Sequence, residues 1–231
     1  MNKPLGFIVA SELTATAFLL IAVVGSGIAA ERLCGGNIGL ALLANAIVTG
    51  CALYPLIVAF APVSGAHMNP VVSIAAAYFR QMPWKAVPAH IASQLVGAIA
   101  GVWIAHLMFG LPVLQVSAHV RTGLPQWIAE IVATVGLLGV ILRCHGHGLE
   151  TTAKAVALYI TGAYWFTAST SFANPAVTVA RALTGTFAGI SPTDAPGFIV
   201  AQFIALGVVL LASKATAFTL PPPINSRSSQ Q

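Results

Sequence analysis

Two stretches of the chain share one pattern, and that pattern decides the fold: Ser64 to Ser73 reads SGAHMNPVVS, and Ser171 to Thr178 reads SFANPAVT. In both, an Asn-Pro pair opens an apolar segment of about ten residues or fewer, which is too short to cross a bilayer. Proline lacks an N–H and suits the first helical turn, and asparagine suits the N-cap position before it. Each stretch is therefore predicted to turn from an extended approach into a short half-helix.

The two stretches occupy corresponding places in an internal repeat. Upstream, Glu12 to Thr16 (ELTAT) and Glu130 to Thr134 (EIVAT) share the pattern E-x-x-A-T. Downstream, IASQ ends at Gln94 and IVAQ ends at Gln202. Three landmarks in the same order indicate a duplicated unit rather than chance.

The solvent around most of the chain is predicted to be lipid. Of the 231 residues, 58% are hydrophobic and 6% are charged, whereas a soluble domain carries about 25% charged residues. This composition excludes disorder, a nucleic-acid-binding protein and a cytosolic enzyme. Six segments are apolar and long enough, or nearly so, to be membrane spans: Leu5–Ala30, Ile38–Phe60, Ala86–Phe109, Trp127–Leu142, Ala153–Ala168 and Gly197–Ala217.

Three spans in each half give the two halves opposite orientations, which is an inverted repeat. The prediction is an all-α membrane protein with six transmembrane helices and two re-entrant half-helices. It forms a single channel domain over 1–231, with repeats at 1–110 and 125–220 and a disordered cytoplasmic tail at 221–231. Most of the ten Lys and Arg residues would lie on the side of the termini, which favours cytoplasmic termini.

Two irregular segments at membrane depth predict a pore, because such backbone is tolerated only inside protein or beside a water-filled cavity. The half-helices would meet end to end, and their positive N-termini would disfavour cations and protons. Asn69 and Asn174 would offer side-chain N–H donors to one solute at a time. The predicted pore centre comprises Asn69, Pro70, Val71, Asn174, Pro175 and Ala176.

Glu12 and Glu130 lie inside apolar spans, where a carboxylate is costly and normally functional or paired. One interpretation is a proton-coupling site. The symmetric placement of the two favours the other, in which each carboxylate accepts hydrogen bonds from a re-entrant loop and supports it. His67, two residues before Asn69, is either a pore-lining polar group or a loop-packing residue.

The stretch SGAHMNPVVS resembles the first signature of aquaporins and aquaglyceroporins, the major intrinsic proteins, and Asn174-Pro175-Ala176 stands where their second signature does. The resemblance covers essentially the whole chain. It implies the hourglass fold, passive solute permeation and a homotetramer with one pore per subunit. Val71 stands where the family usually has alanine. No cofactor and no metal is expected, since His145 and His147 in a polar loop lack further ligands.

The family's selectivity filter lies outside the Asn-Pro centre. Counting by family spacing assigns it Thr49, Gly162, Ser171 and Val177, with Phe172 replacing Ser171 if the loop is displaced by one residue. Water-selective members have a bulky aromatic residue, a histidine and an arginine there, and glycerol-conducting members keep the arginine but have glycine for the histidine. This chain has Gly162 and lacks the arginine, because Val177 occupies that position. Arg181, one helical turn further on, is not placed in the filter by family geometry.

The predicted filter is wide, weakly polar and uncharged, because valine lacks the charge, donors and bulk of a guanidinium. It should admit neutral polyols such as glycerol. An arginine-free filter resembles a bacterial branch of aquaglyceroporins associated with arsenic resistance, which implies passage of arsenite as its neutral trihydroxide and of methylated arsenicals.

Four alternatives stay open: glycerol facilitation without a metalloid role, a water-selective channel, an ion-coupled secondary transporter and a non-conducting structural protein. No nucleophile–base pair or nucleotide loop predicts an enzyme. The expected partners are small neutral solutes, water and membrane lipid, with no nucleic acid, and the expected location is a bacterial inner membrane.

Overall fold

The structure is a computed structural model that describes residues 3–216, so the predicted tail at 221–231 lies outside the described residues. Within 3–216 the chain forms helices and no β-strand. The helices are α1 (Leu5–Leu33), α2 (Ile38–Ser64), α3 (Pro70–Tyr78), α4 (Val87–Met108), α5 (Leu124–Cys144), α6 (Leu149–Phe166), α7 (Pro175–Arg181) and α8 (Ala195–Ala215). Single turns of 3₁₀ helix at Trp84–Ala86 and His145–His147 precede α4 and follow α5.

Six long helices match the six predicted spans, and their bounds differ by a few residues. Five of them are long and apolar enough to cross a membrane. The sixth, α6, has 18 residues and a length of about 27 Å. Its first turns carry Glu150 and Lys154, which form an exposed ion pair at 3.3 Å. These charges put the start of α6 at a membrane surface.

The two halves pack in the same way. In the first half, α1 packs against α2 and α4, and α3 packs against α4. In the second half, α5 packs against α6 and α8, and α7 packs against α8. The halves meet where α2 contacts α6, where α4 contacts α7 and where α3 contacts both α7 and α8. This correspondence confirms the predicted repeat of helix arrangement.

The helices α1 and α4 come close together through two small residues one turn apart, Gly97 and Gly101. A Cβ atom at Gly97 would lie 2.3 Å from the carbonyl oxygen of Leu13, and one at Gly101 would lie 2.3 Å from that of Ala17. Small residues spaced by four are typical of closely packed membrane helices. This contact places Glu12, on α1, beside α4 and the loop before α3.

The outward faces of the long helices are apolar. Exposed residues on them include Phe18, Leu43, Leu107, Val132, Leu158 and Leu211. Large apolar surface of this kind on a helix bundle is compatible with lipid and not with water. The chain is therefore an integral membrane protein.

Candidate pore and constriction

A cavity of about 760 Å³ runs through the middle of the helix bundle. At one end, here termed the near end, it is lined by Lys3, Lys85 and His145, which lie where the chain begins and between helices. At the other end, the far end, the lining reaches Tyr164 and Arg181. Within the described chain, no residue of 182–216 contributes to the lining. Among the described residues, Arg181 at the C-terminal end of α7 is thus the last residue along the chain that lines the cavity.

The carboxylate of Glu12 holds the loop that leads into α3. Its Oε1 accepts hydrogen bonds from Ser64 Oγ at 2.7 Å and from the backbone N–H of His67 at 2.9 Å. Its Oε2 accepts from the backbone N–H of Met68 at 2.8 Å and from Gln94 Nε2 at 2.7 Å. Glu12 is fully buried and does not line the cavity. These contacts favour a supporting role over proton coupling.

Glu130 repeats the arrangement in the second half. Its Oε1 accepts from the N–H of Phe172 at 2.9 Å, and its Oε2 accepts from the N–H of Ala173 at 2.9 Å. Gln202 Nε2 donates to the same Oε2 at 2.6 Å and to Thr178 Oγ1 at 3.0 Å. In the first half, Gln94 likewise bridges its glutamate and a half-helix hydroxyl. The E-x-x-A-T and Gln landmarks of the sequence are thus the parts of one brace in each half.

The braced loops have unusual backbone geometry. Ala66 and Met68 have φ of 48° and 50°, and Ser171 and Ala173 have φ of 50° and 47°. Non-glycine residues in this left-handed region cost about 1–3 kcal/mol each. The hydrogen bonds that the two carboxylates accept from these loops offset that strain. Without these hydrogen bonds, the strained conformation of the two loops would not be stabilised.

The two loops are joined across the centre by the motif asparagines. Asn69 Nδ2 donates to the carbonyl of Ala173 at 2.8 Å, and Asn174 Nδ2 donates to the carbonyl of Met68 at 2.7 Å. The Oδ1 of Asn69 accepts from the N–H of Val71 at 3.1 Å and so caps α3; Asn174 caps α7 likewise. Each amide uses one N–H for the cross-loop bond, which leaves the second for a solute. Both asparagines line the cavity.

The remaining predicted residues of the pore centre do not face the cavity. Pro70, Val71, Pro175 and Ala176 are buried and absent from its lining. The side chain of Val71 packs in an apolar cluster that includes Leu138 and Leu206. The two extra methyl groups relative to alanine therefore lie outside the pore, which corrects the expectation that Val71 stands beside the solute path. The prolines act through their position in the first turn.

Asn69→Ala is expected to lower solute permeability by about tenfold or more, because it removes a helix cap and a cross-loop bond, each worth about 1 kcal/mol. Osmotic light scattering on proteoliposomes measures the permeability. Asn37→Ala is the matched control, since Asn37 caps α2 through the N–H of Leu40 at 2.9 Å but has no cross-loop bond. Equal losses in both variants would contradict a role for the cross-loop bond.

His67 combines both predicted roles. It lines the cavity, and its Nδ1 is hydrogen-bonded to Ser73 Oγ at 3.1 Å. Its ring lies 5.3 Å from that of His90 on α4. The corresponding place in the second half holds two phenyl rings, those of Phe172 and Phe198, at 5.0 Å. Each re-entrant loop is thus packed against the third long helix of its half through a pair of rings.

The far end of the cavity, here termed the constriction because it holds most of the predicted filter residues, has one polar side. Thr49 Oγ1 and the hydroxyl of Tyr164 are hydrogen-bonded at 3.2 Å. Ser171, Phe172 and Val177 line the same end. The hydroxyl of Ser171 is buried without a hydrogen-bond partner in the described chain. Four of the five predicted filter residues are therefore brought together here.

Gly162 is not among them. It lies on the exposed face of α6, and a Cβ atom there would meet only the ring of Phe166 at 3.8 Å. Residues two apart on a helix point in directions about 200° apart, so Tyr164 faces the pore where Gly162 faces away. The counted assignment of Gly162 is wrong in this structure, and a tyrosine takes the place in the constriction.

Arg181 reaches the constriction, contrary to the expectation from family geometry. It is 2% exposed and lines the cavity. Its guanidinium carbon lies 3.4 Å from the centroid of the Phe172 ring, and its Nε donates to the carbonyl of Ala188. One helical turn separates Arg181 from Val177, so both project from the same side of α7.

No group of three or more His, Cys, Asp or Glu residues within 3–216 could hold a metal ion. The constriction instead offers hydroxyl groups, one guanidinium and two apolar side chains. Such a set can exchange hydrogen bonds with an uncharged solute and contact its carbon atoms. It contains no general base next to a nucleophile.

Comparisons with known proteins agree with this geometry. The family model of the major intrinsic proteins matches residues 7–148. The chain is 49% identical over 194 residues to the aquaglyceroporin AqpS of Rhizobium meliloti, covering 84% of this chain and 83% of that protein. It is 32% identical over 185 residues to aquaporin NIP2-1 of Oryza sativa subsp. japonica, covering 76% of this chain and 60% of that protein.

A solved structure has the same fold. The aquaglyceroporin from Plasmodium falciparum aligns with 90% of this chain and 93% of its own, with a TM-score of 0.67 and 22% identity. The hourglass arrangement of helices is thereby confirmed. Together with the sequence matches, this shows that the chain belongs to the major intrinsic protein family and is a passive membrane channel for small solutes rather than an enzyme.

Proposed function

We propose that the channel conducts small neutral hydroxylated molecules, with glycerol-like polyols and the neutral trihydroxide of arsenite as its main solutes. The observation that carries the proposal is the make-up of the constriction. Thr49, Tyr164 and Ser171 present hydroxyl groups, while Phe172 and Val177 present apolar surface. A polyol has hydroxyl groups on one side and C–H groups on the other, so it matches this lining.

The unpartnered hydroxyl of Ser171 supports the proposal. A buried polar atom without a partner costs about 1–3 kcal/mol. A passing solute hydroxyl would satisfy Ser171, and Thr49 and Tyr164 would exchange their mutual hydrogen bond for bonds to the solute. Arsenite trihydroxide and methylated arsenicals carry hydroxyl groups of the same kind. The identity to a protein named aquaglyceroporin supports the polyol class.

The channel is further proposed to act as a homotetramer in a bacterial inner membrane, with both termini in the cytoplasm. The apolar outward faces would contact lipid and neighbouring subunits, and the distribution of Lys and Arg supports the orientation. Glu12, Glu130 and His67 are proposed as the residues that support the re-entrant loops. The near end of the cavity then opens to the cytoplasm.

The test follows light scattering of proteoliposomes after osmotic challenge with glycerol or arsenite, and after a water-only challenge. Wild-type protein is expected to pass all three. Val177→Arg is expected to reduce the glycerol and arsenite rates by about tenfold or more and water far less, because a second guanidinium adds bulk and charge to the constriction.

Gly162→Ala is the matched control, because the added methyl group lies on the exposed face of α6. It should leave all rates unchanged. Wild-type protein that passes only water would show a water-selective channel. Solute flow that requires an ion gradient would indicate coupled transport. The absence of any solute or water flow would indicate a non-conducting structural protein.

A further inference from the structure

We infer that Arg181 supplies the cation that gives the constriction its charge selectivity, from a position one turn beyond the one that the motif predicts. It excludes cations, and it donates hydrogen bonds to the hydroxyl groups of neutral solutes. The inference rests on the proposed function, since it assigns the residue that lets the constriction distinguish neutral solutes from cations. It also means that the constriction is not uncharged, although Val177 follows Asn-Pro-Ala.

The side chain of Arg181 has the position that this role requires. It lines the far end of the cavity. Within the described chain, no residue of 182–216 lines the cavity. In the proposed role, a solute that moves through the far end passes the guanidinium. The ring of Phe172, whose centroid lies 3.4 Å from the guanidinium carbon, holds the guanidinium in place by stacking.

The charge of Arg181 is not cancelled by a carboxylate in contact with it. In the described chain, its one hydrogen bond is from Nε to the carbonyl of Ala188, and the ion pair within 3–216 is Lys154 with Glu150. The nearest buried carboxylate of this half, Glu130, is occupied by three N–H donors. The terminal nitrogens of Arg181 are thus left to a solute.

A second observation, on Ser171, supports this role of Arg181. The hydroxyl of Ser171 is buried, 3% exposed, and has no partner in the part of the chain that the structure describes. Ser171 lines the same end of the cavity as Arg181. A solute hydroxyl can accept a hydrogen bond from the guanidinium and exchange one with the serine at the same time. A metal or ammonium cation cannot accept a hydrogen bond from the guanidinium and is repelled by it.

A neighbouring arginine provides the matched control. The guanidinium carbon of Arg121 lies 5.4 Å from the centroid of the same Phe172 ring, and its Nε donates to the carbonyl of Gly189 at 2.8 Å. Arg121 does not line the cavity. If positive charge near this end of the cavity acts in a general way, removing either arginine should raise the cation leak. If Arg181 is the filter cation, only its removal should raise the leak.

The experiment measures sodium and proton leak into proteoliposomes, with enclosed fluorescent indicators, beside glycerol permeability in the same vesicles. Arg181→Gln is expected to raise cation leak by about tenfold or more while glycerol still passes, because a fixed charge no longer repels the ion. Arg181→Lys should keep cation leak near that of the wild type. Arg121→Gln should match the wild type in both measurements.

Cation exclusion that is unchanged in Arg181→Gln, with glycerol still flowing, would overturn the inference. So would an equal rise in leak from Arg121→Gln. If the glutamine variant does not fold, Arg181→Met serves in its place, because it removes the charge but keeps an aliphatic side chain on Phe172. The same rise in cation leak is expected. Wild-type protein that passes no neutral solute would contradict the proposed function, while the leak of the Arg181 variants would still decide whether this residue blocks cations.

Discussion

Replacing Glu130 by alanine is expected to cost at least about 3 kcal/mol of folding free energy, since three donors lose their acceptor at about 1 kcal/mol or more each. These donors are the N–H groups of Phe172 and Ala173 and the amide of Gln202. All three donors belong to buried residues, so removal of the carboxylate leaves them without an acceptor. The strained loop should collapse and the pore should close.

The effect is measured as the yield of folded protein, its melting temperature in detergent and its glycerol permeability. Glu12→Ala should act similarly, because it removes the matching brace of the first half. Glu130→Gln retains one oxygen acceptor and should lie between the wild type and alanine. Glu150→Ala is the control, because an exposed ion pair is worth about 1 kcal/mol or less. A melting temperature of Glu130→Ala close to that of the wild type would refute the supporting role of this carboxylate.

The double variant Gly97→Ala with Gly101→Ala is expected to lower the melting temperature by roughly 10 °C. Each added Cβ atom would lie 2.3 Å from a carbonyl oxygen of α1, and overpacking of this kind costs about 1–3 kcal/mol per site. Replacing glycine by alanine in itself stabilises a helix by about 1 kcal/mol. The stability lost to overpacking would therefore be measured against this gain in helix propensity.

Gly207→Ala on α8 isolates that intrinsic gain, because a Cβ atom there meets nothing within 4 Å in the described chain. It should melt at or slightly above the temperature of the wild type. The same melting temperature for the double variant would show that α1 and α4 can separate without cost. The position of Glu12 beside Gln94 would then depend on something other than this contact.

The fold was largely predictable because its constraints are local and occur twice. An Asn-Pro pair sets a helix start, and a glutamate inside an apolar span needs partners. Each of these signals was readable without knowing any distance. The glutamines were visible only as repeat landmarks, since nothing local says that Gln94 and Gln202 bridge a carboxylate to a hydroxyl.

The constriction was less predictable because it depends on which way a helix faces and how far a side chain reaches. An error of two residues on α6 exchanges the pore face for the exposed face, so counting by motif spacing points to Gly162 whereas Tyr164 lines the cavity. Motif spacing leaves Arg181 out of the filter because it counts residues and takes no account of the length of a side chain. Its reach depends on Phe172 and Ala188, which only the folded chain brings together.

The paired bonds between Asn69 and Ala173 and between Asn174 and Met68 have a consequence for synthesis. Translation delivers the first loop to the membrane long before the second exists, so the carbonyl of Met68 and the amide of Asn69 must wait for partners encoded about a hundred residues later. Neither half can complete its loop alone. The passage for solutes can therefore form only after both halves of the chain are in the membrane.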